Sequence, residues 1–405
     1  MLLVGRFGDR MKATASTRRT LVWRLTMCVL ILAAVAHIRP TAAAISGAVL
    51  TTLSDAERDF DLRGASLSVN GTLADLIIAA HPKGRLDESE SFIWATVDAS
   101  GRILSQRNPF ASMSTANAAA LNVHNPAAGS GFVFSGTRGF LFWPAMDGSV
   151  RLLRLARPNN QVVVRTINIG GRAPNIQRVL ETNSGHVVFA GSLGAEGVIA
   201  EFDIEGKTIS EHRLGEPGTT AINVIPESDG NLVTVAEAGA FPNSSTWVGR
   251  ISPRGNVLTK TSFPGRPTDL ARGSDGSYVV LIEKAGADGS EILIKGLGTD
   301  LTERWTRSLV NRQRLVPPFR VAPVPSGGFV VAGTKDRALW ISRLNSDGTE
   351  KWTETHDPQT SPELEMVSRL ELVAAQDVFV AAYTAFVVAG REQRTVVRTL
   401  RFTTS

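Results

Sequence analysis

Seven apolar positions, Val97, Leu155, Phe202, Ile251, Leu297, Leu344 and Leu400, each close a run of two apolar residues, two variable ones and a last apolar one. Their separations are 58, 47, 49, 46, 47 and 56 residues, and a turn ending in Gly usually follows. A unit of about 50 residues built from short apolar runs cannot bury its own face, so neighbouring copies must stack on one another. Upstream of the anchors a second pattern recurs: residues 327–333 (GGFVVAG) match 185–191 (GHVVFAG), 230–237 (GNLVTVAE), 276–283 (GSYVVLIE) and, more loosely, 131–136 (GFVFSG).

These runs alternate, are rich in Val, Ile, Leu and Phe, and are joined by Ser-Asp-Gly at 228–230, 274–276 and 346–348 and by Asp98-Ala-Ser-Gly101, the chemistry of tight hairpins. No long segment of helical period follows the first 44 residues. Seven copies at this period predict an all-β chain, a seven-bladed β-propeller with four strands in each blade. The ends carry a separate signal. Only five residues follow Leu400, too few for an outermost strand, while residues 44–53 (AISGAVLTTL) form a strand-like segment ahead of the first copy. The N-terminal segment is therefore expected to complete the last blade, closing the ring and removing its exposed edges. Residues 45–405 then form one domain.

The chain carries 43 basic and 38 acidic residues, but seven of the basic ones lie in residues 1–44 against Asp9 alone, leaving 36 against 37 in the rest. The basic excess belongs to the leader, so it gives no reason to expect nucleic acid as a partner. Residues 1–44 read as a signal peptide, with a basic start, an apolar stretch over 25–36 and small residues at Ala42, Ala43 and Ala44. Met11 followed by Lys12 is an alternative start. The apolar stretch is short for a membrane span of about 20 residues, so no stable span is expected after cleavage. Arg18-Arg19 leaves a twin-arginine export route open. The only cysteine, Cys28, leaves with this leader, so the mature chain has no disulfide and no thiolate chemistry. A secreted or periplasmic location is the expectation.

The run Gly327-Gly328-Phe329-Val330-Val331-Ala332-Gly333, followed by Trp340-Ile341-Ser342-Arg343-Leu344-Asn345-Ser346-Asp347-Gly348 and Trp352, resembles the secreted bacterial β-propeller repeats of quinoprotein-like and similar proteins. Trp305 and Trp352 match the last-strand Trp of such blades. The adjacent cysteines of true quinone dehydrogenases are missing, so the resemblance implies the fold and an extracytoplasmic setting but no quinone, and no cofactor is expected.

Long segments between strands cluster, by their place in the repeat, on one face around the channel mouth: 81–91, 137–149, 238–246, 309–319, 356–366 and 384–394. Loops on a rigid scaffold carry function, so this face is the candidate site. Arg172 and Arg266 in Gly-x-Pro connections, Arg314 with Arg312 and Arg320 in another, and Arg138 and Lys335 in loops are cations that can ring the mouth and hold an anionic group. Solvated or locally paired arginines are the alternative. Glu237 and Glu283 share one repeat position and can act as an acid/base pair or as plain loop-entry carboxylates. The five histidines after the leader, His81, His124, His186, His212 and His356, show no ligand spacing, and no metal site is expected. Trp143, within an apolar connection at 139–144, is a candidate sugar-stacking or partner-binding knob; the alternative is that the segment tucks over its own blade or is itself part of a strand. The expected function is that of a binding or scaffold module for a protein or glycan; the alternative is an enzyme (hydrolase, lyase or oxidoreductase) with its site at the channel mouth.

Overall fold

The computed structural model describes residues 48–55, 57–68, 71–83, 91–107, 132–135, 138–144, 150–156, 162–167, 174–182, 184–203, 205–286, 289–311, 319–335, 338–356, 364–389 and 392–404; of residues 107–173 only the backbone is described. The leader, its Cys28, Arg172, Arg314 and much of the expected long-loop face lie outside these residues.

Among the described residues, 28 strands form seven four-stranded antiparallel sheets. Sheets 1 to 6 use consecutive strands, beginning with Arg58–Leu67, Phe132–Ser135, Asn175–Glu181, Thr219–Pro226, Arg266–Arg272 and Arg320–Pro323. Sheet 7 runs Leu364–Ala375, Val378–Ala389, Glu392–Thr403 and then returns to Val49–Leu53, which pairs with Glu392–Thr403 from Val49 opposite Arg401 to Leu53 opposite Val397. All seven repeat anchors, from Val97 to Leu400, lie in the third strand of their sheet. Each first strand touches the first strands of the sheets before and after it, and that of sheet 7 touches that of sheet 1. No helix among the described residues is long and apolar enough to cross a membrane.

The turns follow from their residues. In the hairpin after Thr219–Pro226 the Asp229 carboxylate accepts the Asn231 N–H at 3.0 Å, and Asp275 does the same for Ser277 at 3.0 Å, so the short acid fixes the chain reversal.

Sequence phase slips in sheet 2. Residues 131–136, read as a second strand, supply its first strand, and Arg138–Pro144 is the second. Trp143 therefore lies in a strand, the alternative left open for this segment, and Arg138 starts that strand and is no loop residue; a short apolar run reads equally as strand or as apolar connection. Residues 384–394 are likewise no long loop, because the second and third strands of sheet 7 continue to Ala389 and from Glu392.

Apolar clusters lie between sheets. Val188, Ala190 and Ile199 of sheet 3 pack with Val224, Leu232 and Trp247 of sheet 4, and Val279, Leu281 and Ile292 of sheet 5 with Phe319, Phe329 and Trp340 of sheet 6. Last-strand tryptophans add side-to-side docking: Trp305 of sheet 5 donates its indole N–H to the Ser346 carbonyl of sheet 6 at 2.8 Å, and Trp352 meets Phe402 of sheet 7 edge-on at 6.3 Å. Gly333 marks a close approach in this core, since a Cβ there would stand 2.1 Å from the buried Phe319 ring. Gly333→Val is expected to lower the unfolding free energy by about 2–3 kcal/mol, as overpacking does, read from the urea midpoint at unchanged slope.

Candidate functional site

In sheets 1, 3, 4, 5 and 7 the pairing of the first and second strands slips by one residue, between Leu62 and Gly64, Ile176 and Arg178, Ala221 and Asn223, Pro267 and Asp269, and Val367 and Arg369. A bulge of this kind bends the strand and re-aims the side chain that follows it. The residue after the slip stands three positions before the strand's end in four of these sheets, as Arg320 does in sheet 6. One level of the first strands thus carries Gly64, Arg178, Asn223, Asp269, Arg320 and Arg369. Five polar or charged side chains meet here inside strands that are otherwise largely apolar.

They are mutually bonded. Glu371, two residues beyond Arg369, accepts from Arg320 Nη2 at 3.3 Å and from Arg178 Nη1 at 3.3 Å, so one carboxylate of sheet 7 ties guanidiniums of sheets 3 and 6. Asp269 is buried, and its Oδ1 accepts from Asn223 Nδ2 at 2.7 Å while Oδ2 accepts the Val321 N–H at 3.0 Å, joining sheets 4, 5 and 6. Arg369 reaches the Leu62 carbonyl at 3.0 Å and the Asp61 carboxylate at 3.7 Å, joining sheet 7 to sheet 1. Burial alone would raise the Glu371 carboxyl, but Arg320 and Arg178 outweigh it and hold the group below the usual carboxylate range. Burial would likewise lower the Arg320 guanidinium, but Glu371 and Asp269 outweigh it and hold the group above its ordinary range.

Two cavities adjoin this layer, and Arg178 lines both. One, of about 430 Å³, is mainly polar, lined by Gln177, Arg178, Thr220, Glu237, Arg266 and Arg320 among others. The other, of about 510 Å³, is walled by aliphatic residues of the first strands such as Leu180, Ile225, Ala271, Ala322 and Leu372.

Of the carboxylates singled out in the sequence, Glu237 and Glu283 end the second strands of sheets 4 and 5 at equivalent positions, opposite Thr220 and Arg266. Arg266 bonds Glu283 through Nη2 at 2.9 Å, Ser290 donates to the other Glu283 oxygen at 3.0 Å, and the guanidinium lies 5.5 Å from the Phe241 ring centre. Glu237, Glu283 and Arg266 therefore form one cluster at the rim of the polar cavity. Burial pushes the Glu237 carboxyl up, the nearby Glu283 charge adds to this, and Ser244 and Arg266 only partly oppose it. A raised carboxyl favours the folded state while protonated, and that contribution fades as pH rises above the ordinary glutamate range. Glu237→Gln should therefore melt higher than the parent at pH 7 and at the same temperature near pH 4, as followed by differential scanning calorimetry.

Lys335 ends the second strand of sheet 6 half-buried and lines neither cavity. It was read as a loop residue and is corrected to a strand end. Arg172 and Arg314 lie outside the described residues, as do the side chains of Arg138 and Trp143. Sequence reading missed Arg178, Asp269, Arg369 and Glu371. The signal available for Arg178 and Asp269 was a charged residue three places before the end of a short first strand; Arg369 and Glu371, in a 12-residue strand, had none.

No family model matches this chain, and no curated protein matches it. Among solved structures, it is similar to an inactive variant of virginiamycin B lyase from Staphylococcus aureus with quinupristin, at 14% identity over 88% of this chain and 99% of that one, TM-score 0.54. A streptogramin B lyase gives 13% identity over 87% and 97%, TM-score 0.52, and the β-propeller domain of the Trilobed protease from Pyrococcus furiosus gives 10% over 83% and 97%, TM-score 0.47. At such identities the likeness is one of fold, and the fold is a β-propeller.

Proposed function

We propose that the protein is an exported, seven-bladed propeller, closed by its N-terminal strand, that binds a polar extracytoplasmic ligand, a glycan or a protein segment, at the mouth of its channel. The observation that carries this reading is the polar cavity of about 430 Å³ whose wall brings Arg178, Arg266, Arg320 and Glu237 from separate sheets to one place. Its size lies in the roughly 300–1,000 Å³ range of ligand sites. Arg178 and Arg266 keep N–H donors beyond those that pair with Glu371 and Glu283, and the loop at 239–244 that carries Phe241 stands at the same rim.

A second reading is an enzyme at the same mouth. It is favoured by the unequal carboxylates: Glu283 is clamped by Arg266, while Glu237 is driven toward its protonated form, the division of labour of a fixed anion and a proton donor.

A thermal-shift panel of neutral and acidic oligosaccharides and of short peptides tests the binding reading. At least one member should raise the melting temperature, because a ligand that prefers the folded state stabilises it. A flat response across the panel would overturn the reading.

A further inference from the structure

Resting on that binding reading, we infer that the ligand of the polar cavity is an acidic saccharide, whose carboxylate is taken by Arg178 and whose sugar ring lies along the ledge formed by Arg266 and Phe241. Three features of the site lead to this chemistry.

The first is the state of its hydrogen-bonding groups. The acceptors that meet this wall are spent: both oxygens of Glu371, outside the cavity, are held by the lining Arg320 and Arg178, and both of the lining Asp269 by Asn223 Nδ2 and the Leu270 and Val321 N–H groups. The donors are not. Among the described residues Arg178 makes one hydrogen bond, from Nη1 at 3.3 Å, and its side chain is 34% exposed; Arg266 uses only Nη2 and is 42% exposed. A guanidinium has five N–H donors in a planar fork that matches a carboxylate. The wall thus offers donors to a ligand rich in acceptors, and the fork selects a planar anionic group.

The second is the scarcity of apolar wall. Among the described residues, Ile222 and Pro267 are the only apolar side chains lining the cavity, beside amides, hydroxyls and charges. Such a wall suits a polyhydroxylated ring better than the aliphatic side chain of a peptide. Glu237, a lining carboxylate in no ion pair among the described residues, is placed to accept from a sugar hydroxyl.

The third is Phe241. It is 41% exposed in the turn after Glu237's strand, and Arg266 lies 5.5 Å from its ring centre. An exposed aromatic beside a polar pocket supplies the apolar face on which the C–H side of a sugar ring stacks.

The test is equilibrium titration of the purified protein with three probes: tri-galacturonate, the same trisaccharide with its carboxyls reduced, and tetra-glutamate. The acidic sugar should bind, the reduced sugar at least about 10-fold more weakly, and Arg178→Ala should lose about 10–100-fold for the acidic sugar, the worth of a charged hydrogen bond. The reduced sugar should be nearly indifferent to Arg178→Ala. Should that variant fail to fold, Phe241→Ala serves, with loss for both sugars and none for the peptide. Equal binding of acidic and reduced sugars, or full affinity in Arg178→Ala, overturns the acidic-saccharide assignment while leaving a mouth ligand standing. Tighter binding of the peptide than of either sugar overturns it in favour of a protein segment. Binding by none of the three overturns it as well, and the broader panel above then decides separately whether the mouth binds anything.

Discussion

A chain starting at Asp55 is expected to lose about 5 kcal/mol or more of stability and to populate aggregates at 37 °C, although it keeps six sheets whole. The missing Val49–Leu53 strand would leave Glu392–Thr403 as an unpaired edge, a ready template for association. Leu53 is 1% exposed and packs with Phe60, Leu62, Val97 and Val397, so its loss alone is worth about 2–5 kcal/mol. The strand also holds sheet 7 against sheet 1: Thr51 Oγ1 donates to the Gly101 carbonyl at 2.8 Å, and a Cβ on Gly101 would stand 2.6 Å from both Thr51 and Val49. Urea unfolding of the truncated and full chains reads the loss, and a peptide of residues 45–54 added in trans should restore part of it. An unchanged midpoint would mean that the strand is an ornament on a fold stable without it.

Glu371→Gln should cost about 3–5 kcal/mol while barely changing the shape of the side chain. Removing one partner of a largely desolvated ion pair leaves the other charge uncompensated, and here the Arg320 and Glu371 side chains are only 18% and 19% exposed and Arg178 shares the same carboxylate. The double change Glu371→Leu with Arg320→Met should recover much of that loss, because two apolar residues no longer bury a lone charge. Acid repeats the single change. Glu371 is held below its ordinary range, so the stability it contributes is present above that range and is lost as pH falls through the lowered value, opposite in sign to Glu237. Wild-type stability in Glu371→Gln, followed by chemical denaturation, would show that the inner layer does not depend on this carboxylate.

The repeat was legible because its third strand carries an apolar residue at one position in every sheet, Val97 through Leu400, buried wherever its side chain is described, and because turns need Asp and Gly wherever they occur. The closing strand was legible for the same reason, as one strand too many at one end and one too few at the other. Sheet 2 misled the phase because Arg138–Pro144 follows Phe132–Ser135 after a two-residue connection with no Asp-Gly to mark it. Of the site, Glu237 and Glu283 showed themselves by holding one repeat position, and Arg266 by preceding a Pro at a recurrent connection. The inner layer did not show itself. Arg178, Asp269 and Arg369 are brought to one level by register slips, and a bulge has no signature in a single sequence. Glu371 pairs with Arg178 across 193 positions, a contact that only the stacking of sheets creates.

The most direct test of the mouth as the ligand site is to repeat the thermal-shift panel on Arg178→Ala and Arg266→Ala beside Arg213→Ala, whose pairs with Glu196 and Glu211 lie exposed on the outer strands. The account predicts that the ligand-induced rise is lost or more than halved in the two mouth variants and kept in Arg213→Ala. A rise kept in both mouth variants, or lost equally in all three, would place the ligand elsewhere on the propeller and contradict the account.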